Sequence, residues 1–390
     1  TNQDILIPKT NAKYLDAITM KIAGNNFAED RSGYKSLTEE NTSLYVMGNF
    51  EVDGVRGNLG FRYIQTDASS EYYVPGVNSA DATGLPVNKG FTTKLATDKA
   101  SYDDVLPSFN VAFDLTDDLI LRASAAKVIT RSNFNDMYAT TSVAGLNDNN
   151  PNNGTATRGN IGLLPYTSNQ ADVGLEWYFS EGSVASAAYF NKTVTNFVVP
   201  SVSTGVSIGV PDGDKGGADS WTTSSSINGK TGTIEGLELQ FQHTFESGFG
   251  GVINYTFADA KADPSNYADN NSQMTDSSKN TFNLVGFYET DTYSLRAAYN
   301  WKSEYWIREY PGFYGNRVVQ DAGTLDLSAN WHVLDNVTVT FDATNVLGED
   351  FITIGRDNNE EALQGQSADG IPGASYEGES RYSVGLSYRF

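Results

Sequence analysis

The chain has 390 residues, no cysteine, 26 lysines and arginines against 48 aspartates and glutamates, and a formal charge of -22. The missing cysteines exclude a disulfide framework, thiol catalysis and cysteine-based zinc sites, and the acidic balance argues against nucleic acid or an anionic lipid surface as a partner. With 39% hydrophobic residues and a mean hydropathy of -0.39, no stretch approaches the roughly 18 apolar residues of a membrane helix. That leaves open a membrane barrel, whose apolar residues occupy every second strand position.

Residues 1–39 are mixed in character: DILIP, the weakly helical KYLDAITMKIAG, then the polar EDRSGYKSLTEE. No period of two is visible there. From 41 onwards the sequence reads as paired strands. NTSLYVMGNFEV (41–52) meets VRGNLGFRYIQT (55–66) across Asp53-Gly54, a strong hairpin signal. Segments 103–115 and 119–130 meet across Thr116-Asp117-Asp118, and 170–179 and 183–199 across Ser180-Glu181-Gly182. Further pairs are 233–245 with 251–260, 280–289 with 293–306, and 323–334 with 337–347. The last segment, ESRYSVGLSYRF (379–390), stands alone and ends on Phe390.

Between the hairpins lie long connections rich in Gly, Asn, Asp, Ser and Pro, at about 67–102, 131–169, 200–232, 261–279, 307–322 and 348–378. Compact soluble domains rarely carry unstructured loops beyond about 12–15 residues. Strict alternation of tight turn and long loop puts all short turns at one end of a sheet and all long loops at the other. That is the plan of a bacterial outer-membrane β-barrel, with short periplasmic turns and long extracellular loops.

The faces agree. Phe109, Val111 and Phe113, Val173, Leu175 and Trp177, and Tyr382, Val384 and Leu386 line one side. The opposite side carries Arg62, Arg122, Glu176, Glu238 and Gln240, followed by Arg296, Asp326, Asp342 and Arg389, and is expected to face the lumen. About thirteen strands are visible, whereas single-chain bacterial barrels have an even number. Because open edges do not survive in hydrocarbon, the expectation is that further strands lie upstream or on another chain.

A family resemblance appears at 130–179. TRSNFNDM (130–137), followed by RGNIGLLPYTSNQADVGLEWYF (158–179), resembles the TonB-dependent receptors, in which an Arg-Pro or Arg-Ser start precedes a Gly-Asn-x-x-Leu-x-Pro segment. This copy has Ser132 where Pro is common and one extra residue before Pro165. LGFRYIQT (59–66), TIEGLELQF (233–241), DATNVLGEDF (342–351) and the terminal strand are similar to that family too. The resemblance implies an all-β, transmembrane antiparallel barrel of 22 strands, of which this chain holds about thirteen, with the plug and TonB box upstream. Residues 1–39 would then be an irregular extracellular loop or linker, and 40–390 the C-terminal part of the barrel. The implied function is active uptake of a scarce nutrient across the outer membrane, with an oligosaccharide favoured and a ferric siderophore next. Implied partners are the TonB complex, outer-membrane lipid and lipopolysaccharide, and the barrel-assembly machinery reading the strand that ends at Phe390. The alternative is a self-contained passive porin-like or fatty-acid-type channel of about fourteen strands.

Candidate ligand contacts are aromatic and charged residues in or beside the long loops: Trp221, Tyr305, Trp306, Arg308, Tyr310 and Tyr314. The competing reading places Tyr305 and Trp306 in an interfacial aromatic girdle. PDGDKGGAD (211–219) suggests a calcium loop through Asp212 and Asp214, but Gly216 and Thr223 stand where an EF-hand needs ligands, so a solvated turn is expected. No cofactor is expected. His243 and His332 are the only histidines, and nothing in their spacing points to a hydrolase triad. The expected class is a transporter, not an enzyme.

Overall fold

The computed structural model describes residues 31–76, 90–146, 149–150, 152–268, 270–307, 316–356 and 371–390. In chain order the strands are β1 (Ser36–Val52), β2 (Val55–Pro75), β3 (Phe91–Asp114), β4 (Leu119–Thr130), β5 (Thr141–Ala144), β6 (Thr155–Arg158) and β7 (Tyr166–Ser180). They continue as β8 (Ser183–Thr195), β9 (Val198–Val206), β10 (Trp221–Asn228), β11 (Gly232–Thr244), β12 (Phe249–Ala262), β13 (Asn280–Glu289) and β14 (Tyr293–Lys302). The last are β15 (Tyr305–Ile307), β16 (Asn316–Val319), β17 (Ala322–Leu334), β18 (Val337–Thr344), β19 (Phe351–Arg356), β20 (Ile371–Tyr376) and β21 (Arg381–Tyr388).

Thirteen of these form one sheet in the order β1-β2-β3-β4-β7-β8-β11-β12-β13-β14-β17-β18-β21. Every neighbouring pair is antiparallel, and the tight turns fall where the sequence places them. Gly54 and Gly182 sit at φ 72° and 67°, the left-handed region that a side chain enters at a cost and glycine enters freely.

Two expectations are corrected. β1 begins at Ser36, so Ser36 to Glu39 are strand and not part of an irregular segment. Most of the long loop expected at 67–102 is strand, because β2 and β3 stay in register from Thr66↔Tyr102 as far as Tyr73↔Leu95. Those added rungs are mostly Ser, Thr, Asp, Glu, Lys and Tyr, with Ala68, Ala96, Ala100 and Leu95 among them. Their backbone groups are satisfied by the ladder, but the few small apolar residues are too sparse to give a periodicity argument anything to detect.

The other connections fold as well. β5-β6-β10-β9 make one four-stranded sheet, built from the β4–β7 and β8–β11 connections, and β15-β16-β19-β20 make another from β14–β17 and β18–β21.

One face of the large sheet is apolar along its whole width. On interior strands of the sheet Leu175, Leu239 and Leu295 remain 41%, 41% and 44% exposed, an apolar expanse that suits contact with lipid. Toward the short-turn end this face ends in rings. Trp177 and Phe179 lie 5.1 Å apart, Phe179 and Phe241 stack at 5.8 Å, and His243 meets Phe245 edge-on at 4.2 Å. Phe249–Tyr288 and Tyr388–Phe390 continue the belt at 4.4 and 4.9 Å. Rings with one polar edge suit the boundary between hydrocarbon and water.

Candidate functional site

The register places the nine expected polar residues on one continuous face. Arg62 pairs with Leu106 and, four positions further along the ladder, Asn58 with Asn110, while Ser124 pairs with Asp172. Arg122 lies opposite Gly174, Glu176 opposite Ile120, Glu238 opposite Ala188 and Gln240 opposite Ser186. Arg296 pairs with Ser328, Asp326 with Ala298 and Asp342 with Ser383, and Arg389 keeps the parity of Ser387. Side chains alternate faces along a strand, so this parity fixes their common side.

Toward the short turns this face carries ion pairs. Arg56 contacts Asp114, and Arg122 Nε donates to Glu176 at 2.9 Å, with the Tyr178 hydroxyl on the other carboxylate oxygen at 2.9 Å. Solvated pairs of this kind are worth about 0–1 kcal/mol each, so their weight is in positioning. Near the strand tops Arg131 reaches Glu39 at 3.0 Å and Asn41 at 2.7 Å, and Lys127 reaches Asp104 at 3.4 Å.

The segment that carries the family resemblance is a fastening. Asn133 caps the single helical turn Phe134–Met137 by accepting from the Asn135 amide at 3.0 Å. Asp136 receives the Ser226 hydroxyl at 2.9 Å, and its carbonyl receives the Asn160 amide at 2.7 Å. Gly159 is required by close approach, since a Cβ there would lie 2.4 Å from the Tyr138 carbonyl oxygen. Asn228 accepts from the Leu164 amide at 2.9 Å and donates to the carbonyls of Leu164 and Asn196 at 3.0 and 3.2 Å. Met137, Ile161 and Leu163 are buried against Ala68 of β2 beneath this join. Two loops and the strand tops are thereby held together.

The candidate ligand residues separate. Trp221 is corrected: it is fully buried among Ala156 and Val210, and its indole donates to the Val210 carbonyl at 2.8 Å. It is the centre of the loop core and offers no ring to a ligand. Tyr305 and Trp306 are half-buried on β15 of the second small sheet, and Lys302 lies over the Tyr305 ring at 5.2 Å. Arg308, Tyr310 and Tyr314 lie outside the described residues.

A constellation that the sequence reading missed sits above the polar face. Arg158 pairs with Asp98 at 2.6 Å, lies over the Tyr72 ring at 4.8 Å and donates to the Ala139 carbonyl at 3.1 Å. Tyr72 donates to the same Asp98 at 3.1 Å. Arg158 opens the RGN segment, so the residue was visible. Its partners were not, because both lie in what read as loop.

Asp212 is fully buried, with one carboxylate oxygen accepting the Asp214 amide at 3.1 Å. Its other oxygen is buried without a hydrogen-bond partner among the described residues, and the Lys215 ammonium donates instead to the Ser220 carbonyl at 2.8 Å. Among the described residues no group of three acidic or histidine side chains converges as a metal site. Ser183 and His243 Nδ1 are 2.7 Å apart inside the aromatic belt, without a carboxylate hydrogen-bonded to the ring among the described residues. His332 Nδ1 is 3.1 Å from the Thr338 hydroxyl.

The sequence matches the family model described as TonB dependent receptor-like, beta-barrel, over residues 10–346. No curated protein matches it. The ferric enterobactin receptor of Pseudomonas aeruginosa superposes with a TM-score of 0.60 at 18% identity, covering 91% of this chain and 54% of that one. The siderophore receptor PirA of Acinetobacter baumannii gives 0.58 at 16%, covering 91% and 55%. The ferric-catecholate import receptor Fiu of E. coli gives 0.58 at 14%, covering 91% and 45%. The chain thus spans about half the length of these receptors, and the likeness is one of fold.

Proposed function

The chain belongs to the TonB-dependent receptors of the bacterial outer membrane, and from that premise we propose that it forms the barrel wall and external loops of a receptor that takes up a scarce solute with energy supplied through TonB. Members of the family are transport receptors and not enzymes, and membership stands against the self-contained passive channel. The supporting observation is the pairing of a meander whose short turns share one end with folded loops at the other. An external ligand would meet those loops first, the TonB complex would act through a segment upstream of this sequence, and the barrel-assembly machinery would read the strand ending at Phe390. Lipid and lipopolysaccharide would cover the apolar face.

The similar solved receptors handle iron chelates, which supports a ferric siderophore as the first ligand class to test. An oligosaccharide is the second reading, favoured by the excess of 48 acidic over 26 basic residues, which repels the polyanionic chelates and leaves a neutral sugar unaffected. Cells carrying the receptor as their only uptake route should accumulate radioiron-loaded siderophore or labelled oligosaccharide, and should stop when TonB is deleted. Undiminished uptake without TonB would rule the proposal out.

A further inference from the structure

One patch of the polar face is used by none of the ion pairs above. Asn254, Asn283, Asn300 and Thr324 lie in one rung across β12, β13, β14 and β17, with Thr256 and Thr281 in the next rung toward the loops. They line a groove of about 430 Å³ that ends at Lys302. Asn283 donates to Asn300, whereas the side chains of Asn254, Thr256, Thr281 and Thr324 make no hydrogen bond among the described residues. Amides and hydroxyls both donate and accept, so beside the apolar Phe282, Trp301 and Ala322 that also line it the groove presents several neutral hydrogen-bonding groups and a single charge at its end.

Its one cation among the described residues, Lys302, is held over Tyr305. Other cations at the loop ends of β11, β12 and β13 are already engaged: Lys230 with Asp263 at 3.4 Å, and Lys261 and Lys279 with Asp259 at 2.7 and 3.3 Å. A polyanion leaving water needs several uncommitted donors of positive charge, and this groove supplies one. An uncharged solute rich in hydroxyl and carbonyl oxygens needs the arrangement present.

We infer that this groove is a subsite for an uncharged, oxygen-rich ligand, a chemistry shared by neutral ferric hydroxamates and neutral oligosaccharides. The inference rests on the uptake reading and narrows its ligand. The test titrates the full-length receptor in detergent, by tryptophan fluorescence, with a neutral ferric tris-hydroxamate, a linear glucose oligomer and ferric enterobactin. One uncharged ligand should bind at least about tenfold tighter than ferric enterobactin, and which one it is separates the two sources. Asn300→Asp and the isosteric Thr281→Val should each weaken that ligand by about three- to tenfold, with the heat-modifiable mobility of the folded barrel unchanged. Tightest binding of ferric enterobactin, or binding of neither uncharged ligand, overturns the inference. So does unchanged affinity in both variants, including the case where their only effect is on barrel stability, which would mean that a segment of the receptor itself covers the groove. TonB plays no part in these equilibrium titrations, so TonB-independent uptake would remove the transport proposal and leave the affinities standing.

Discussion

Asp219 shows what a single residue does in the loop layer. Its carboxylate accepts the Ser207 hydroxyl at 2.5 Å and the amides of Ile208 and Gly209 at 2.9 and 2.8 Å. Burial pushes the carboxyl up, but the Ser207 hydroxyl and the backbone amides outweigh it and hold it below the usual carboxylate range. A depressed carboxyl favours its charged form in the folded loop, so its stabilisation is complete above about pH 5 and fades as the pH falls through the unfolded and then the folded value. Protection of the Ile208 and Gly209 amides against hydrogen exchange, corrected for intrinsic rates, should hold down to about pH 5 and decline in stronger acid. Asp219→Asn should lower that protection at neutral pH and remove its acid dependence. Trp221 is the second case. Truncation to Ala opens the loop core and should cost about 3–5 kcal/mol locally, read as faster cleavage of the external loops by protease on intact cells. Neither role could be taken from composition: an acidic residue and an aromatic in a polar stretch look alike whether they face a ligand or each other's backbone.

At the scale of elements, legibility followed the solvent on each side of the strand. Segments 119–130 and 280–289 were located to the residue, because a tight turn bounds each and lipid keeps one face apolar, although Ile120, Val128, Val285 and Phe287 put apolar residues on the other face as well. Above the membrane that constraint ends. β2 and β3 run on through Ser69, Ser70, Asp98 and Lys99 with polar groups on both faces, and the four-residue β5 and β6 are too short to show any period. The family-like segment was noticed by its spelling, yet its work as a clamp depends on Ser226 and Asn228, which come from a different loop. Asn228→Ala removes three hydrogen bonds at that join and should loosen both loops together by about 1–3 kcal/mol. Spin labels placed on β6 and β9 should then show a broadened distance distribution, whereas labels across the short turns should not change.

The whole molecule is sided. Its apolar face and girdle of rings set the level of the membrane, and its polar face carries ion pairs across β2–β3 and β4–β7 and an amide-rich patch across β12, β13 and β14. That outward alternation was the most readable property of the sequence, since it recurs on thirteen strands. This layout of the polar face was not readable, because it depends on which strand lies beside which and at what register. A prediction belongs at this scale as well. Removing Phe390, fully exposed past the end of β21, should lower the yield of heat-modifiable barrel in cells several-fold while leaving the unfolding midpoint of the barrel that does assemble nearly unchanged.

β6 and β10 run parallel, with Thr155 beside Thr222 and Thr157 beside Ser224, although the two strands belong to connections separated by a full membrane hairpin. Immunologically, the cell surface therefore displays a discontinuous epitope. Antibodies raised against whole cells would bind neither connection as a free peptide, and an escape variant that lengthened one loop would have to re-register the other to survive.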